Sequence, residues 1–206
     1  WAKKRGLPRT FGHAEGIKTL VKISEACREI GVKSALVYAF STENWSRPTE
    51  EVEYLMNALI ENLQKYRKKL IENKTRVIVL GERDNLPEDV LNTINEVEEL
   101  TKDFTSYTLG ICFNYGGRQE IVHAAKEICK KVMAGQMSID DININSFEEN
   151  LYTYGIDPVD LMIRTSGEER LSNFLPWQLA YSEFIFSKCY WPDFNRKELF
   201  SCIEVY

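Results

Sequence analysis

Long apolar runs, an excess of basic charge and paired cysteines are all missing from this sequence. No apolar run reaches the roughly 18 residues that a membrane-spanning helix requires. Acidic residues outnumber basic ones by 31 to 26, so the broad basic surface of a nucleic-acid-binding protein is absent. The five cysteines are widely spaced without a CxxC pair, which disfavours a zinc site or a disulfide framework. We therefore expect a cytoplasmic protein with buried free thiols and no nucleic acid partner.

The common nucleotide-binding motifs are absent as well. Neither GxxxxGK[ST] nor GxGxxG occurs in the chain, which disfavours an unrelated nucleotide-binding module. The sequence also lacks internal repeats, low-complexity segments and an obvious linker. A chain of 206 residues with these properties is expected to form one domain, residues 1–206.

The sequence does contain a regular alternation of helical and strand-like segments. Hydrophobic residues make up 44% of the chain, which is enough for a substantial core. Apolar residues at helical spacing predict a helix over residues 14–30 and a longer one after Pro48. Short apolar segments predict strands at residues 34–40, 75–80, 107–113, 160–164 and 183–186. This order predicts an α/β fold, a single domain with a mainly parallel central sheet flanked by helices.

Polar clusters follow three of the predicted strands, at residues 41–47, 114–118 and 164–173. Ligands of such sheets bind beyond the carboxyl ends of the strands, so these clusters mark the candidate site. The first cluster contains Asn44, Trp45 and Arg47, an unusual set for a simple turn. The second contains a Gly-Gly turn, which by itself is a weak signal of function.

The third cluster has the chemistry of a diphosphate site. Arginine offers phosphate oxygens a planar fork of donors, and hydroxyls and glycine N–H groups complete such sites. We therefore predict a diphosphate cradle of Arg164, Arg170 and Ser172. The alternative is a polar loop whose arginines pair with Glu168 and Glu169.

The first thirteen residues are cationic, with four basic residues and no acidic one. Arg9, Gly12 and His13 stand just before the helix predicted to begin at Ala14, and a helix N-terminus favours anions. This segment is therefore a candidate for a second anion site, against the alternatives of a surface loop or a solvated tail.

The order of five motifs resembles a known family. These are GHxxG (12–16), YAFSTENWSRP (38–48), NYGGR (114–118), DLMIRTSGEERLSNFLPWQLAYSEF (160–184) and WPDF (191–194). Together they resemble the cis-prenyltransferases, most closely the bacterial undecaprenyl diphosphate synthases, over nearly the whole chain. The resemblance implies an enzyme that condenses isopentenyl diphosphate with an allylic diphosphate such as farnesyl diphosphate. Its product would be a long polyprenyl diphosphate, the lipid carrier precursor of cell-wall synthesis.

The resemblance also implies a role for particular residues. Asn44 would assist proton removal or substrate positioning, and Glu183 would help to coordinate Mg²⁺, the expected cofactor. The expected substrate-binding residues are Trp1, Arg9, His13, Trp45, Arg47, Arg164, Arg170 and Ser172. Arg9, His13 and Arg47 would hold the allylic diphosphate, and the cradle would hold isopentenyl diphosphate. A homodimer is implied as well, and peripheral membrane contact during product release stays open.

One departure from the family concerns the ends of the chain. In the family a DGNxR segment, whose aspartate serves metal binding and catalysis, precedes the tryptophan that matches Trp1. An arginine-rich tail is expected beyond Tyr206. We therefore expect a chain without the N-terminal catalytic segment and the C-terminal tail, nearly inactive by itself. A degenerate homologue and a non-catalytic partner subunit are the alternatives.

The family houses its product in a hydrophobic tunnel between sheet and helices, and the resemblance places that tunnel beside residues 34–40. Strand alternation would put Ala35, Val37 and Ala39 on one face, and Leu36, Tyr38 and Phe40 on the other. The small face would leave room for the tail, with Ala39 near the mouth and Tyr107 narrowing the far end. The opposite wall would be formed by Leu55, Met56, Leu59 and Leu63 of the long helix. Without the resemblance, this apolar stripe of the helix would be interpreted as part of an ordinary hydrophobic core.

Overall fold

Three parallel strands form the centre of the fold in a computed structural model that describes residues 1–206. They are β1 (Ser34–Ser41), β2 (Thr75–Leu80) and β3 (Tyr107–Tyr115), in the spatial order β1-β3-β2. The central strand β3 is buried along nearly its whole length, as expected for a parallel strand covered on both faces. Two further strands, β4 (Leu161–Arg164) and β5 (Glu183–Phe186), pair in parallel with each other.

Six helices flank the strands. They are α1 (Arg9–Glu29), α2 (Thr49–Glu72), α3 (Glu88–Thr101), α4 (Gly117–Met133), α5 (Ile144–Glu148) and α6 (Arg196–Val205). Proline precedes each of the first three, at Pro8, Pro48 and Pro87, where its missing N–H costs nothing. The α/β architecture with mainly parallel strands and flanking helices is as predicted from the sequence. None of the helices is both long and apolar enough to cross a membrane.

Helix α1 begins five residues earlier than the sequence pattern indicated, at Arg9 instead of Ala14. Pro8 adopts φ −57° and directs the chain into the helix, which then tolerates Gly12 and Gly16. Arg9, Gly12 and His13 therefore lie in the first turns of the helix rather than in a loop before it. The prediction that these residues precede the helix was wrong, and from the helix Arg9 and His13 contact Glu51 of the neighbouring helix α2.

A β-bulge at Ala39 changes the predicted faces of β1. Tyr38 pairs with Cys112, but Phe40 pairs with Phe113, so Ala39 has no partner in the register. Phe40 consequently packs in the same core cluster as Val37, not beside Leu36 and Tyr38 as strict alternation predicted. Alternation along β1 was therefore a correct guide only as far as Tyr38.

The core lies on both faces of the sheet. Residues such as Ile111 and Phe113 join the larger cluster beneath α1, α2 and α3, whereas Cys112 points into a smaller cluster on the other side. All five cysteines are free. Cys27, Cys112 and Cys202 are buried as expected, Cys189 is half-buried, and Cys129 is exposed on α4, contrary to the expectation of buried thiols.

Candidate functional site

The polar clusters that follow β1, β3 and β4 meet at one end of the sheet. Ser41, the last residue of β1, pairs with Tyr115 of β3. The indole N–H of Trp45 donates to Oδ1 of Asn114 at 2.8 Å. The backbone N–H of Gly117 donates to the carbonyl oxygen of Asn173 at 2.8 Å. The sequence clusters thus form one continuous surface at the carboxyl end of the strands.

The predicted diphosphate cradle is partly assembled within the chain. Nη2 of Arg164, the last residue of β4, lies 3.4 Å from the hydroxyl of Ser172. Arg170 is exposed and forms an ion pair with Glu168, one of the two partners that the alternative loop interpretation expected. An anionic ligand would have to replace Glu168 as the partner of Arg170.

The side chains of Arg9, His13 and Arg47 converge on the buried carboxylate of Glu51, on α2. Arg9 contacts Oε2 at 3.3 Å, while His13 and Arg47 contact Oε1 at 3.1 and 2.9 Å. Burial acts to raise the pKa of Glu51, but His13, Arg47 and Arg9 outweigh it and hold the pKa below its usual value. Donors gathered around a carboxylate can also bind phosphate oxygens, so this group has the chemistry of an anion site.

Trp1 is held near this group by the segment Trp191–Asp193. Its indole N–H donates to Oδ1 of Asp193 at 2.7 Å. Arg5 stacks over the Trp1 ring and also contacts Asp193, at 3.1 Å. Trp191 in turn donates to the carbonyl oxygen of Gly16 in α1 at 3.0 Å. The WPDF motif therefore anchors the start of the chain to α1.

Asn44 and Trp45 lie on a short 3-10 helix, Thr42–Ser46, that directly follows β1. Oδ1 of Asn44 accepts the backbone N–H of Ser41 at 3.1 Å, which fixes the turn. The half-exposed Trp45 ring packs edge-on against Phe40, with centroids 5.3 Å apart. Both side chains are thus presented at the rim of the strand ends by local structure.

Glu183 is a predicted site residue that lies apart from the cradle in the fold. It is exposed at the amino end of β5 and pairs with Leu161, whereas Arg164 pairs with Phe186 at the opposite end. Three residues along a strand separate these levels by about 10 Å. The chain contains no group of three or more side chains that could hold a metal ion. By themselves, these residues do not form a Mg²⁺ site.

A cavity of about 660 Å³ opens from this surface and passes between α1, α2 and the sheet. Arg164, Arg170, His13 and Ala39 are among the residues that line it. Leu55, Leu59 and Leu63 of α2 form part of its apolar wall, as predicted.

Three residues predicted to border the tail, Ala35, Met56 and Tyr107, do not line this cavity, whereas Leu36 and Tyr38, predicted on the other face of β1, do. Met56 is buried in the core instead of facing the space. Tyr107 is also buried, and its hydroxyl lies 3.2 Å from that of Ser24, which does line the cavity. Tyr107 therefore lies behind the wall and cannot narrow the space directly.

The Gly-Gly turn of NYGGR, treated as a weak signal in the sequence, is required by close packing. A Cβ at Gly117 would lie 2.0 Å from Cδ of Pro176, and one at Gly116 would lie 2.7 Å from Oγ1 of Thr42. Asn114 adds to this turn by donating to the carbonyl oxygen of Glu82 at 2.9 Å. The motif brings the strand ends together, and the presence of two adjacent glycines was its only sequence signal.

A buried carboxylate fixes the segment that follows the cradle. Glu120, in the first turn of α4, accepts the hydroxyl of Tyr115 at 2.5 Å, Nε2 of Gln178 at 3.0 Å and the backbone N–H of Tyr152 at 2.8 Å. Burial raises the pKa of Glu120, and these hydrogen bonds limit the rise. No local sequence pattern marks this residue, because two of its partners, Tyr152 and Gln178, lie 32 and 58 positions away in the chain.

We expect Gly117→Ala to destabilise the protein by about 1–3 kcal/mol, the usual cost of overpacking a well-packed site. The added methyl group would overlap the ring of Pro176 and push the 173–176 segment away from β3. Denaturant unfolding monitored by circular dichroism measures the change. Gly12→Ala is the control, since its Cβ would make only ordinary contacts, the nearest at 3.7 Å, and should not destabilise the fold. Equal stabilities of the two variants would contradict this packing argument.

Comparison with known protein sequences gives consistent matches along the whole chain. The prenyltransferase family described as undecaprenyl diphosphate synthase matches residues 1–206. An isoprenyl transferase of Clostridium perfringens is 49% identical over 206 residues, which are 100% of this chain and 81% of that protein. The ditrans,polycis-undecaprenyl-diphosphate synthase ((2E,6E)-farnesyl-diphosphate specific) of Micrococcus luteus is 46% identical over 100% of this chain and 83% of its own.

The fold also matches a solved structure. Lavandulyl diphosphate synthase from Lavandula x intermedia, in complex with dimethylallyl diphosphate, superimposes with a TM-score of 0.96. The two sequences are 34% identical, and the match covers 100% of this chain and 89% of that one.

Proposed function

This chain belongs to the prenyltransferase family of undecaprenyl diphosphate synthases. On that basis we propose a role in polyprenyl diphosphate synthesis for each of the predicted site residues. The reaction joins an allylic diphosphate, such as farnesyl diphosphate, to isopentenyl diphosphate. A carbon–carbon bond forms, the allylic carbon–oxygen bond breaks, and a diphosphate and a proton leave. Repetition of this step gives a long chain.

The observation that carries the proposal is the pair of cationic groups on one surface that opens into one cavity. Arg164 and Arg170 line the cavity, and so does His13, which belongs to the Glu51 group. Two diphosphates need two such groups, because each carries several negative oxygens that arginine binds well. We assign isopentenyl diphosphate to the cradle, with Ser172 as an added contact.

The allylic diphosphate is assigned to Arg9, His13 and Arg47, where it would take the place of the Glu51 carboxylate as partner. Trp1 and Trp45 are assigned to orient the hydrocarbon part of the substrate. Asn44 lies on the turn after β1. Its carboxamide is assigned to positioning isopentenyl diphosphate or assisting the loss of its proton.

We propose that the growing chain enters the cavity between α1, α2 and the sheet. The cavity is lined mostly by apolar side chains, including Leu55 and Leu59, and Arg164 and Arg170 line it as well. A prenyl tail gains free energy by leaving water, at about 25 cal/mol per Å² of apolar surface. The tail would therefore move further into the cavity as each isoprene unit is added beside the two diphosphate groups.

Mg²⁺ is proposed as the cation of the reaction on the chemistry of its substrates. When bound, it would neutralise negative charge on the departing diphosphate. Mg²⁺ is usually held by one or two carboxylates together with substrate phosphates. Glu183 is the carboxylate that the family resemblance offers, at the opposite end of the β4–β5 pair from Arg164.

The test of this function is incorporation of labelled isopentenyl diphosphate into lipid by the complete protein with farnesyl diphosphate. We expect incorporation with Mg²⁺, loss of incorporation in excess EDTA, and recovery when Mg²⁺ is returned. Activity unaffected by EDTA would contradict the Mg²⁺ assignment alone. No incorporation under any of these conditions would contradict the proposed function.

A homodimer is also proposed, as the family resemblance implies. Phe184 and Phe186 are exposed on one face of β5, with ring centroids 6.4 Å apart, and offer an apolar strip to a second copy. Sedimentation of the complete protein distinguishes a dimer from a monomer. A monomer at micromolar concentration would remove this part of the proposal.

A further inference from the structure

Asn173 connects the three strand-end clusters. Its carboxamide nitrogen donates to Oε1 of Glu43 at 3.0 Å and to Oε1 of Gln119 at 3.1 Å. Its carboxamide oxygen accepts the backbone N–H of Arg118, and its carbonyl oxygen accepts that of Gly117, both at 2.8 Å. Both the nitrogen and the oxygen of its carboxamide are thus used within the protein, at the junction of the segments after β1, β3 and β4.

The residues next to Asn173 and next to its partner Glu43 are predicted site residues. Ser172, directly before it, contacts Arg164 in the cradle. Glu43, its partner, directly precedes Asn44 on the short helix after β1. The link between Asn173 and Glu43 therefore sets the distance between the cradle and the Asn44 turn, although neither residue has been assigned a substrate contact.

The backbone of this segment suits asparagine. Ser172 and Asn173 both lie in the left-handed region, with φ of 49° and 65°. Asparagine and aspartate adopt this conformation more readily than most residues. The ring of Phe174 stacks on Tyr38 of β1 at a centroid distance of 4.9 Å, which holds the next residue independently. An Asn173→Asp change should therefore alter hydrogen bonding without changing the backbone.

The partner carboxylate is negatively charged at neutral pH. Burial acts to raise the pKa of Glu43, but hydrogen bonds from its own backbone and from Asn173, Ser41 and Thr42 hold the pKa below its usual value. An aspartate at position 173 would then face a second carboxylate where the protein now has a donor.

We propose that Asn173 is a positioning residue that holds the Asn44 turn at a fixed distance from the Arg164–Arg170–Ser172 cradle and so aligns the two substrates for condensation. The inference rests on the proposed function, because the two groups need alignment only if both bind substrate. Asn173 acts through Glu43 on one side and through Ser172 on the other.

The test is Asn173→Asp in two backgrounds, wild-type and Glu43→Gln. In the wild-type background the change replaces a donor to Glu43 with a like charge, and kcat/KM for isopentenyl diphosphate should fall at least about tenfold, the value of one charge-assisted hydrogen bond. In the Glu43→Gln background the new amide at position 43 can donate a hydrogen bond to the new carboxylate at position 173. The hydrogen bond between the two positions is then restored with donor and acceptor exchanged. There the same change should cost less than about threefold.

Two further measurements, of isopentenyl diphosphate affinity and of thermal stability, are made on the same variants. Calorimetric titration with isopentenyl diphosphate should show the same pattern of loss and rescue, independently of turnover. Thermal unfolding should be similar in all four proteins. If Asn173→Asp unfolds, Glu43→Ala breaks the same link outside the left-handed segment and should give the same loss of kcat/KM.

Two results would overturn the inference. The first is a wild-type kcat/KM in the folded Asn173→Asp and Glu43→Ala variants. The second is that Asn173→Asp lowers kcat/KM by the same factor in the wild-type and in the Glu43→Gln background. Failure of the wild-type protein to incorporate isopentenyl diphosphate would instead count against the proposed function, so the two failures are distinct.

Discussion

Arg164→Ala and Arg170→Ala are each expected to weaken isopentenyl diphosphate binding by about one to two decades. A hydrogen bond to a charged group contributes about 1.5–3 kcal/mol, which corresponds to that change in affinity. Arg164 already contacts the hydroxyl of Ser172, so its loss should also disturb the third member of the cradle. Calorimetric titration of the folded variants gives the dissociation constants, and steady-state kinetics should show a matching rise in KM.

The matched control for these variants is Arg67→Ala. Arg67 is an exposed arginine of α2 that pairs with Glu96 outside the cavity. Surface ion pairs of this kind contribute about 0–1 kcal/mol to stability, and no substrate contact is lost. Affinity should therefore stay at the wild-type value. Unchanged affinity in Arg164→Ala and Arg170→Ala as well would remove the cradle assignment.

Ala39→Leu is expected to stop chain elongation early and to shift the product to shorter polyprenyl diphosphates. Ala39 lies at the bulge of β1 and lines the cavity close to the polar residues. The larger side chain would occupy space that the growing tail needs, without contacting either proposed diphosphate group. The first condensation should therefore be less affected than the length of the product, which chromatography of the reaction mixture measures.

Ala125→Leu is the control for this prediction. Ala125 is exposed on α4 and does not line the cavity, so the same change of side chain should leave the product distribution unchanged. A wild-type distribution in folded Ala39→Leu would mean that the tail takes another path through the protein.

The sequence predicted the features that depend on local pattern. Strand positions followed from short apolar segments, and β2 and β5 have the predicted bounds, Thr75–Leu80 and Glu183–Phe186. The meeting of the clusters after β1 and β3 followed from a general property of parallel sheets, whose strand ends share one edge. The cluster after β4 belongs to a separate two-stranded sheet and joins them through the contacts of Asn173. Alternation of helices and strands was likewise enough for the fold class.

Features that depend on distant partners could not be predicted in this way. The bulge at Ala39 is set by pairing with β3, which no local pattern of β1 contains. Glu51 was missed because two of its partners, Arg9 and His13, lie about forty positions earlier in the chain, with separations of 42 and 38. Asn173 was quoted only as part of a motif, because its role depends on contact with Glu43, 130 positions away.

The same limitation applies to the cavity wall. Met56 shares the apolar stripe of α2 with Leu55 and Leu59, and helical spacing alone does not distinguish residues that face the core from those that face a cavity. A hydrophobic stripe indicates the buried side of a helix, but whether that side meets other side chains or empty space is decided by the packing of the whole fold.

The length of the product is the measurement that tests the central claim most directly. The complete protein would be given farnesyl diphosphate and an excess of isopentenyl diphosphate, and the products would be separated and weighed by mass spectrometry. The account predicts a ladder of polyprenyl diphosphates that differ by one isoprene unit and converge on a long chain. A product with a single added unit, or none at all, would contradict a site that binds two diphosphates beside a cavity for the tail.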